Sequence, residues 1–240
     1  MTIISHTHRL IFLRTRKTAS TSIEFALLPY LRRGDFISTS AGAEPLDHPW
    51  WNTANRTTRW SWEVPMKRRL ARWRKLRRFD IYMHEPAHGV RRSVRREVWH
   101  EYAKISVERH PYDRVISMYH WRTRNLRPKP SLPEFIEFLE QQQASGQSWR
   151  GKGPKWQLFS NWPIYAIGDE IVADHVIQYE NLEKELKTVL AQYGLHDLQL
   201  GRNKARFRDP GATVDTLDED LRRRIQRLYR REFEAFGYET

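Results

Sequence analysis

Residues 9–31 read RLIFLR, then TRKTASTS, then IEFALLPYL: an apolar run, a small polar stretch and a periodic segment. Leu10, Ile11, Phe12 and Leu13 stand consecutively between two arginines. That is the composition of a short strand buried on both faces. Further on, Ile23, Ala26, Leu27, Tyr30 and Leu31 fall at the i, i+3, i+4, i+7, i+8 positions of one helix face. Residues 15–22 between them predict a polar turn. Strand, polar loop and helix in this order open many nucleotide-binding α/β folds.

The alternation continues along the chain. Residues 80–83 predict a short strand ending at His84, residues 91–102 a helix, and residues 103–108 (AKISVE) a strand. Residues 109–122 (RHPYDRVISMYHWR) pass through a proline turn into another helix. Ser131-Leu132-Pro133-Glu134 is a capping box with proline in the first turn, opening a helix that runs to about residue 143. Residues 146–154 read as a loop and residues 171–178 (IVADHVIQ) as a late strand. Leu182, Leu186, Val189, Leu190 and Tyr193 mark the helix after it. Thr216-x-x-Glu219 predicts the cap of a last helix, with Leu217, Leu221, Ile225 and Leu228 facing inward. No repeat and no long linker divides the chain. Residues 1–240 are therefore read as one α/β domain, its central, mostly parallel sheet flanked by helices.

Composition narrows the function classes. Hydrophobic residues make up 39% of the chain, enough for a core and too many for a disordered chain. Lys and Arg total 42 against 29 acidic residues, a formal charge of +13 that predicts anionic partners. Nucleic acid, nucleotide, membrane surface and acidic polysaccharide all qualify. The chain has no cysteine, which excludes disulfides and thiolate chemistry. The first six residues lack the apolar stretch of a signal peptide, and no later run approaches the ~20 apolar residues that span a bilayer. A cytoplasmic protein with no membrane span is expected.

A loop between a buried strand and a helix N-terminus presents backbone N–H groups and the positive end of the helix dipole. Here the sequence adds Lys17 and the hydroxyls of Thr18, Ser20, Thr21 and Ser22. The Walker A pattern is absent, since no glycine precedes Gly34; that counts against an ATPase or a kinase-like phosphotransferase. Taken alone, the loop is equally an ordinary polar turn. A second element, Arg109-His110-Pro111-Tyr112-Asp113-Arg114-Val115-Ile116-Ser117, follows a predicted strand. An arginine fork and a hydroxyl about two turns onward can bracket a phosphate.

Both elements have a family likeness. Residues 17–22 (KTASTS) resemble the 5′-phosphosulfate loop of sulfotransferases that use 3′-phosphoadenosine-5′-phosphosulfate (PAPS). The loop is especially similar to that of the heparan sulfate 2-O-sulfotransferase type and related bacterial carbohydrate enzymes. Arg109 and Ser117 stand as in that family's 3′-phosphate element. Residues 176–182 (VIQYENL) and 229–238 (YRREFEAFGY) resemble its late strand segment and its terminal helix. The resemblance runs in the family's order from residue 9 to residue 238 and is weakest over 35–80. Thr15-Arg16 departs from the usual residue-Pro before the lysine, and the Asn203-Lys204 region lacks an expected tyrosine. The resemblance implies a P-loop-like sulfotransferase fold and transfer of a sulfuryl group from PAPS to a hydroxyl acceptor. It further implies 3′-phosphoadenosine-5′-phosphate (PAP) as product and no metal. Arg16, Lys17, Thr18, Ala19, Ser20, Thr21, Ser22, Arg109 and Ser117 would contact the donor.

Such a transfer needs a base for the acceptor hydroxyl and a positive charge for the leaving phosphate oxygen. Lys17 suits the second role. Among ten histidines, His84 in His84-Glu85-Pro86-Ala87 ends a predicted strand ahead of the Arg109 element. The resemblance places the family's His-x-x-Ala histidine there, the base of the 2-O type. His88, one turn onward, and Glu85 are the alternatives.

Eight of the thirteen residues 66–78 are Lys or Arg, with Trp73 among them and Trp50, Trp51, Trp60 and Trp62 before them. Residues 41–78 are read as an acceptor-side insertion, its rings suited to sugar faces and its guanidinium groups to acidic substituents. A glycan hydroxyl is thus the expected acceptor. The same composition suits single-stranded nucleic acid, so the rival class is a basic nucleic-acid-binding protein. With the phosphosulfate motifs present, no nucleic-acid partner is expected. Oligomeric state has no sequence signal here.

Overall fold

The computed structural model describes residues 2–37, 84–145, 159–201 and 213–240. The apolar run becomes β2 (Leu10–Leu13), with all four side chains buried. Around it lie β1 (Ile3–Ser5), β3 (Phe36–Ile37), β4 (Ala103–Glu108) and β7 (His175–Gln178), in the order β3-β1-β2-β4-β7. β2, β4 and β7 are parallel, as expected, with Leu13 beside Ser106 and Glu108 beside Gln178. β1 pairs antiparallel with both β2 and β3, so the sheet is mixed. These two short strands were not legible in the sequence, because three and two residues are too few to show a period.

Alternate residues of each strand meet different helices. Leu10, Phe12, Ile105 and Val107 pack with α1 (Ser20–Leu27) and α7 (Leu182–Ala191). Ile11 and Leu13 pack on the other face with α2 (Ala87–Ser93), α3 (Arg96–Glu101) and α6 (Trp162–Tyr165). Each fully buried Ile, Leu or Phe contributes about 1.5–3 kcal/mol. A further cluster joins α4 (Pro111–Thr123), α5 (Leu132–Ala144), α8 (Glu219–Leu228) and α9 (Arg230–Phe236) through Tyr112, Ile136, Ile225 and Phe233.

Several local expectations shift. Ser20, Thr21 and Ser22 form the first turn of α1 rather than the preceding loop. The helix expected over 91–102 is two helices, because Val94 and Arg95 are extended and Val94 turns into the core. The Ser131–Glu134 capping box forms as expected. The late strand divides: β6 (Glu170–Ile171) pairs with β5 (Ala166–Ile167), and only β7 joins the sheet. Asp218, not Thr216, caps α8, accepting from the Leu221 N–H at 2.8 Å. Thr216 instead donates to the Thr213 carbonyl. The readings at 80–83, 146–154, 41–78 and Asn203-Lys204 lie outside the described residues. No helix among the described residues is long and apolar enough to cross a membrane.

The parallel register brings Leu13 and Ser106 level, and Glu108 and Gln178 level. Arg14, Arg109 and Tyr179 therefore emerge at one edge of the sheet. That edge, at the carboxyl ends of parallel strands, is where open α/β sheets bind ligands.

Candidate active site

The loop after β2 is anchored by its own polar residues. Thr15 donates its hydroxyl to the Val107 carbonyl at 2.5 Å and accepts from the Thr18 hydroxyl at 2.8 Å. Arg14 reaches forward to Ser20 Oγ at 3.0 Å, Thr21 Oγ1 at 2.8 Å and Glu24 Oε2 at 2.8 Å. The end of β2 is thus tied to the start of α1 by one guanidinium. Lys17 and Ala19 adopt positive φ, 65° and 54°. Left-handed backbone costs a non-glycine residue on the order of 1–3 kcal/mol and persists where its surroundings impose it. Here it lets the chain turn tightly without the glycines of a Walker loop.

The turn leaves donors unpaired. Ser22 and Ile23 send their N–H groups back to the Ala19 carbonyl, at 2.8 and 3.2 Å. The backbone N–H groups of Thr18, Ala19, Ser20 and Thr21 have no partner among the described residues. These are the orphan donors of a helix start, aligned with its dipole, and they suit an anion. The Ser20 and Thr21 oxygens accept from Arg14, which leaves their O–H groups to donate. Thr18 is different: the whole residue is buried, its hydroxyl against Thr15, so the donors on offer are those of Ala19, Ser20 and Thr21.

The Arg109 element meets this loop directly. Arg109 follows β4, stacks 4.2 Å from the Tyr179 ring centre and is clamped by Asp113 through Nε, at 2.7 Å, and Nη2. Its Nη1 donates to the Lys17 carbonyl at 3.1 Å, across 92 residues of sequence. Nη1 and Nη2 each keep a second N–H. Ser117 lies on α4 one turn beyond Asp113 and one turn before Trp121, whose ring centre is 5.6 Å from Lys17 Nζ. The same helix face therefore carries Arg109's partner, Ser117 and Lys17's partner.

The sequence profile described as the Sulfotransferase family matches residues 1–239. The chain belongs to the sulfotransferase family. Comparisons with curated proteins and with solved structures found no match.

In this sulfotransferase the three proposed bases are placed differently. His84 Nδ1 lies 3.0 Å from the Arg14 carbonyl, at the mouth of the loop. A carbonyl only accepts, so Nδ1 carries the proton and Nε2 keeps its lone pair. Burial, with the Arg16 charge beside it, holds the imidazole well below its ordinary pKa, and hence neutral near pH 7. His88 is exposed on α2, and burial and Arg92 lower its pKa. Glu85 folds back over Gly89, filling the space where a Cβ would sit 2.0 Å from Oε1. His84 thus contacts the loop backbone at the end of β2.

The sulfotransferase also buries a polar cluster that the sequence reading missed. Glu108, Arg114, Asn161, Tyr165 and Tyr229 are at most 0% exposed, and Glu232 is 3% exposed. Glu108 accepts from Tyr165 Oη at 2.9 Å, and Arg114 lies between Glu108 and Glu232 at 3.3 and 3.4 Å. Burial pushes the Glu232 carboxyl up to about 7 against the pull of Arg114, with Glu108 adding to the rise. Arg16 touches the edge of this cluster through the Ser160 carbonyl, and burial, with Arg122 and Arg114 nearby, lowers it to about 9. The one sequence signal was Glu108 itself, a carboxylate at the end of a buried strand beside Arg109. Among the described residues, no group of three His, Asp or Glu side chains is placed to share a metal ion.

Proposed function

We propose that this sulfotransferase moves the sulfuryl group of PAPS to a hydroxyl on a carbohydrate, within a single domain spanning the chain. The observation that carries the reading is the Arg109 Nη1 to Lys17 carbonyl bond at 3.1 Å. It sets a cation at the end of β4 against the anion-ready loop after β2. One nucleotide with phosphates at both its 5′ and 3′ positions suits such a pair.

PAPS brings a sulfuryl group already activated on a phosphate leaving group. The N–H groups of Ala19 to Thr21 and the hydroxyls of Ser20, Thr21 and Ser22 would receive the 5′-phosphate, with Arg16 lending charge from behind. Lys17 would neutralise charge developing on the leaving oxygen. Its ammonium faces Trp121 at 5.6 Å, a contact that helps aim it. Arg109 and Ser117 would hold the 3′-phosphate, using the guanidinium donors that Asp113 leaves spare. His84 Nε2 would take the acceptor proton. An anionic donor beside His84 raises its pKa back toward neutrality, which strengthens it as a base.

The glycan acceptor rests on two supports. One is the resemblance to carbohydrate sulfotransferases. The other is Trp121, 36% exposed beside Lys17, with Arg122 and Arg124 at 5.3 and 4.7 Å from its ring centre. An open indole ringed by cations suits a sugar face bearing acidic groups.

Arg109→Ala tests the nucleotide reading. Removing a charge-assisted contact to a phosphate should weaken PAP by about 2–5 kcal/mol and leave AMP nearly unaffected. Calorimetric titration of both ligands checks this. Equal losses for PAP and AMP would remove Arg109 from the 3′-phosphate.

A further inference from the structure

We infer that Asn161 is a positioning residue that holds the loop of residues 14–19 in its anion-receiving shape. The inference rests on the nucleotide reading above and adds a residue to it. Asn161 lies 145 residues from Arg16 yet grips both sides of that residue's backbone. Its Oδ1 accepts from the Arg16 N–H at 2.8 Å, and its Nδ2 donates to the Arg16 carbonyl at 3.1 Å. Nδ2 also donates to Glu108 Oε1 at 3.1 Å. Turning the amide over would set Nδ2 against an N–H and Oδ1 against two oxygens, so the network dictates one orientation.

Glu108 makes that orientation firm. Its Oε1 also accepts from the Arg109 N–H at 2.9 Å, while Oε2 accepts from Tyr165. One buried carboxylate oxygen therefore registers Asn161 against Arg109. Arg16 immediately precedes Lys17, whose φ of 65° needs an imposed conformation. By fixing the N–H and the carbonyl of Arg16, Asn161 sets the direction in which the chain enters Lys17 and the orphan N–H groups beyond it. Asn161 is itself fully buried and acts through the backbone, not on the reacting atoms. A satisfied amide in a low-dielectric site is well suited to this role, since each of its bonds has no water to compete with it.

The test compares PAP with adenosine 3′-phosphate, which lacks the group the loop would bind. Asn161→Ala removes the grip on Arg16. Asn161→Asp keeps the Arg16 N–H partner but sets an oxygen against the Arg16 carbonyl and Glu108. In calorimetric titrations, Asn161→Ala should weaken PAP about 10- to 100-fold and Asn161→Asp at least as much. Adenosine 3′-phosphate should bind both variants as it binds the wild type, because Asp113 and Tyr179 hold Arg109 without the loop. Unchanged PAP affinity in Asn161→Ala overturns the inference. Loss of both ligands in both variants also overturns it, by assigning Asn161 to general stability. If the wild type itself shows no preference for PAP over adenosine 3′-phosphate, the loop reading fails, whatever Asn161 does.

Discussion

Lys17→Ala should lower kcat by about 10²–10³-fold, the loss seen when one donor to a developing oxyanion is removed. PAP affinity should fall far less. The orphan N–H groups of Ala19 to Thr21 are backbone and survive the change, as does the Arg109 bond, which uses the Lys17 carbonyl. What disappears is the ammonium facing Trp121. A group that meets charge only as the leaving oxygen departs contributes to the transition state and little to the ground state. Turnover of PAPS beside a PAP titration of the same variant separates the two. Parallel losses in kcat and in PAP affinity would make Lys17 a binding residue alone.

His84→Ala should lower turnover by about 10²–10⁴-fold, the usual share of a positioned general base, and leave PAP affinity unchanged. The pH profile gives a second readout. Burial and Arg16 depress the His84 pKa, so the imidazole is neutral and competent at physiological pH. Activity that depends on it is lost as pH falls through that depressed value, and the acid limb of kcat/KM should vanish in His84→Ala. His88→Ala is the control. If His88→Ala abolished turnover while His84→Ala spared it, the base assignment would move one turn along the chain.

What could be read from the sequence was mostly local. β2, β4 and the Ser131 cap are written in consecutive residues, so apolar runs and capping chemistry found them. β1 and β3 exist because they pair with their neighbours, which a short window cannot show. Val94 breaks a helix to reach the core, a tertiary demand that outweighs local propensity. The cap expected at Thr216 falls instead to Asp218, because it is the Asp218 carboxylate that reaches the Leu221 N–H. The candidate site divides in the same way. Lys17, Arg109 and His84 were picked by residue type and order, and Arg109 and His84 each make a contact with the loop backbone. Asn161 sits in an unremarkable stretch 145 residues from its partner, and no pattern of type or spacing marks it. Thr18 was picked for its hydroxyl, which the fold turns inward.

The central claim is that the Arg109 element and the Lys17 loop serve one nucleotide phosphorylated at both ends. Calorimetric titration of the wild-type protein with PAP, AMP and a single-stranded oligonucleotide tests it most directly. PAP should bind more tightly than AMP by about 10²-fold or more, reflecting a charge-assisted 3′-phosphate contact. The oligonucleotide should bind weakly and lose affinity as salt rises. Equal affinity for PAP and AMP, or oligonucleotide binding that outcompetes PAP, would contradict the account.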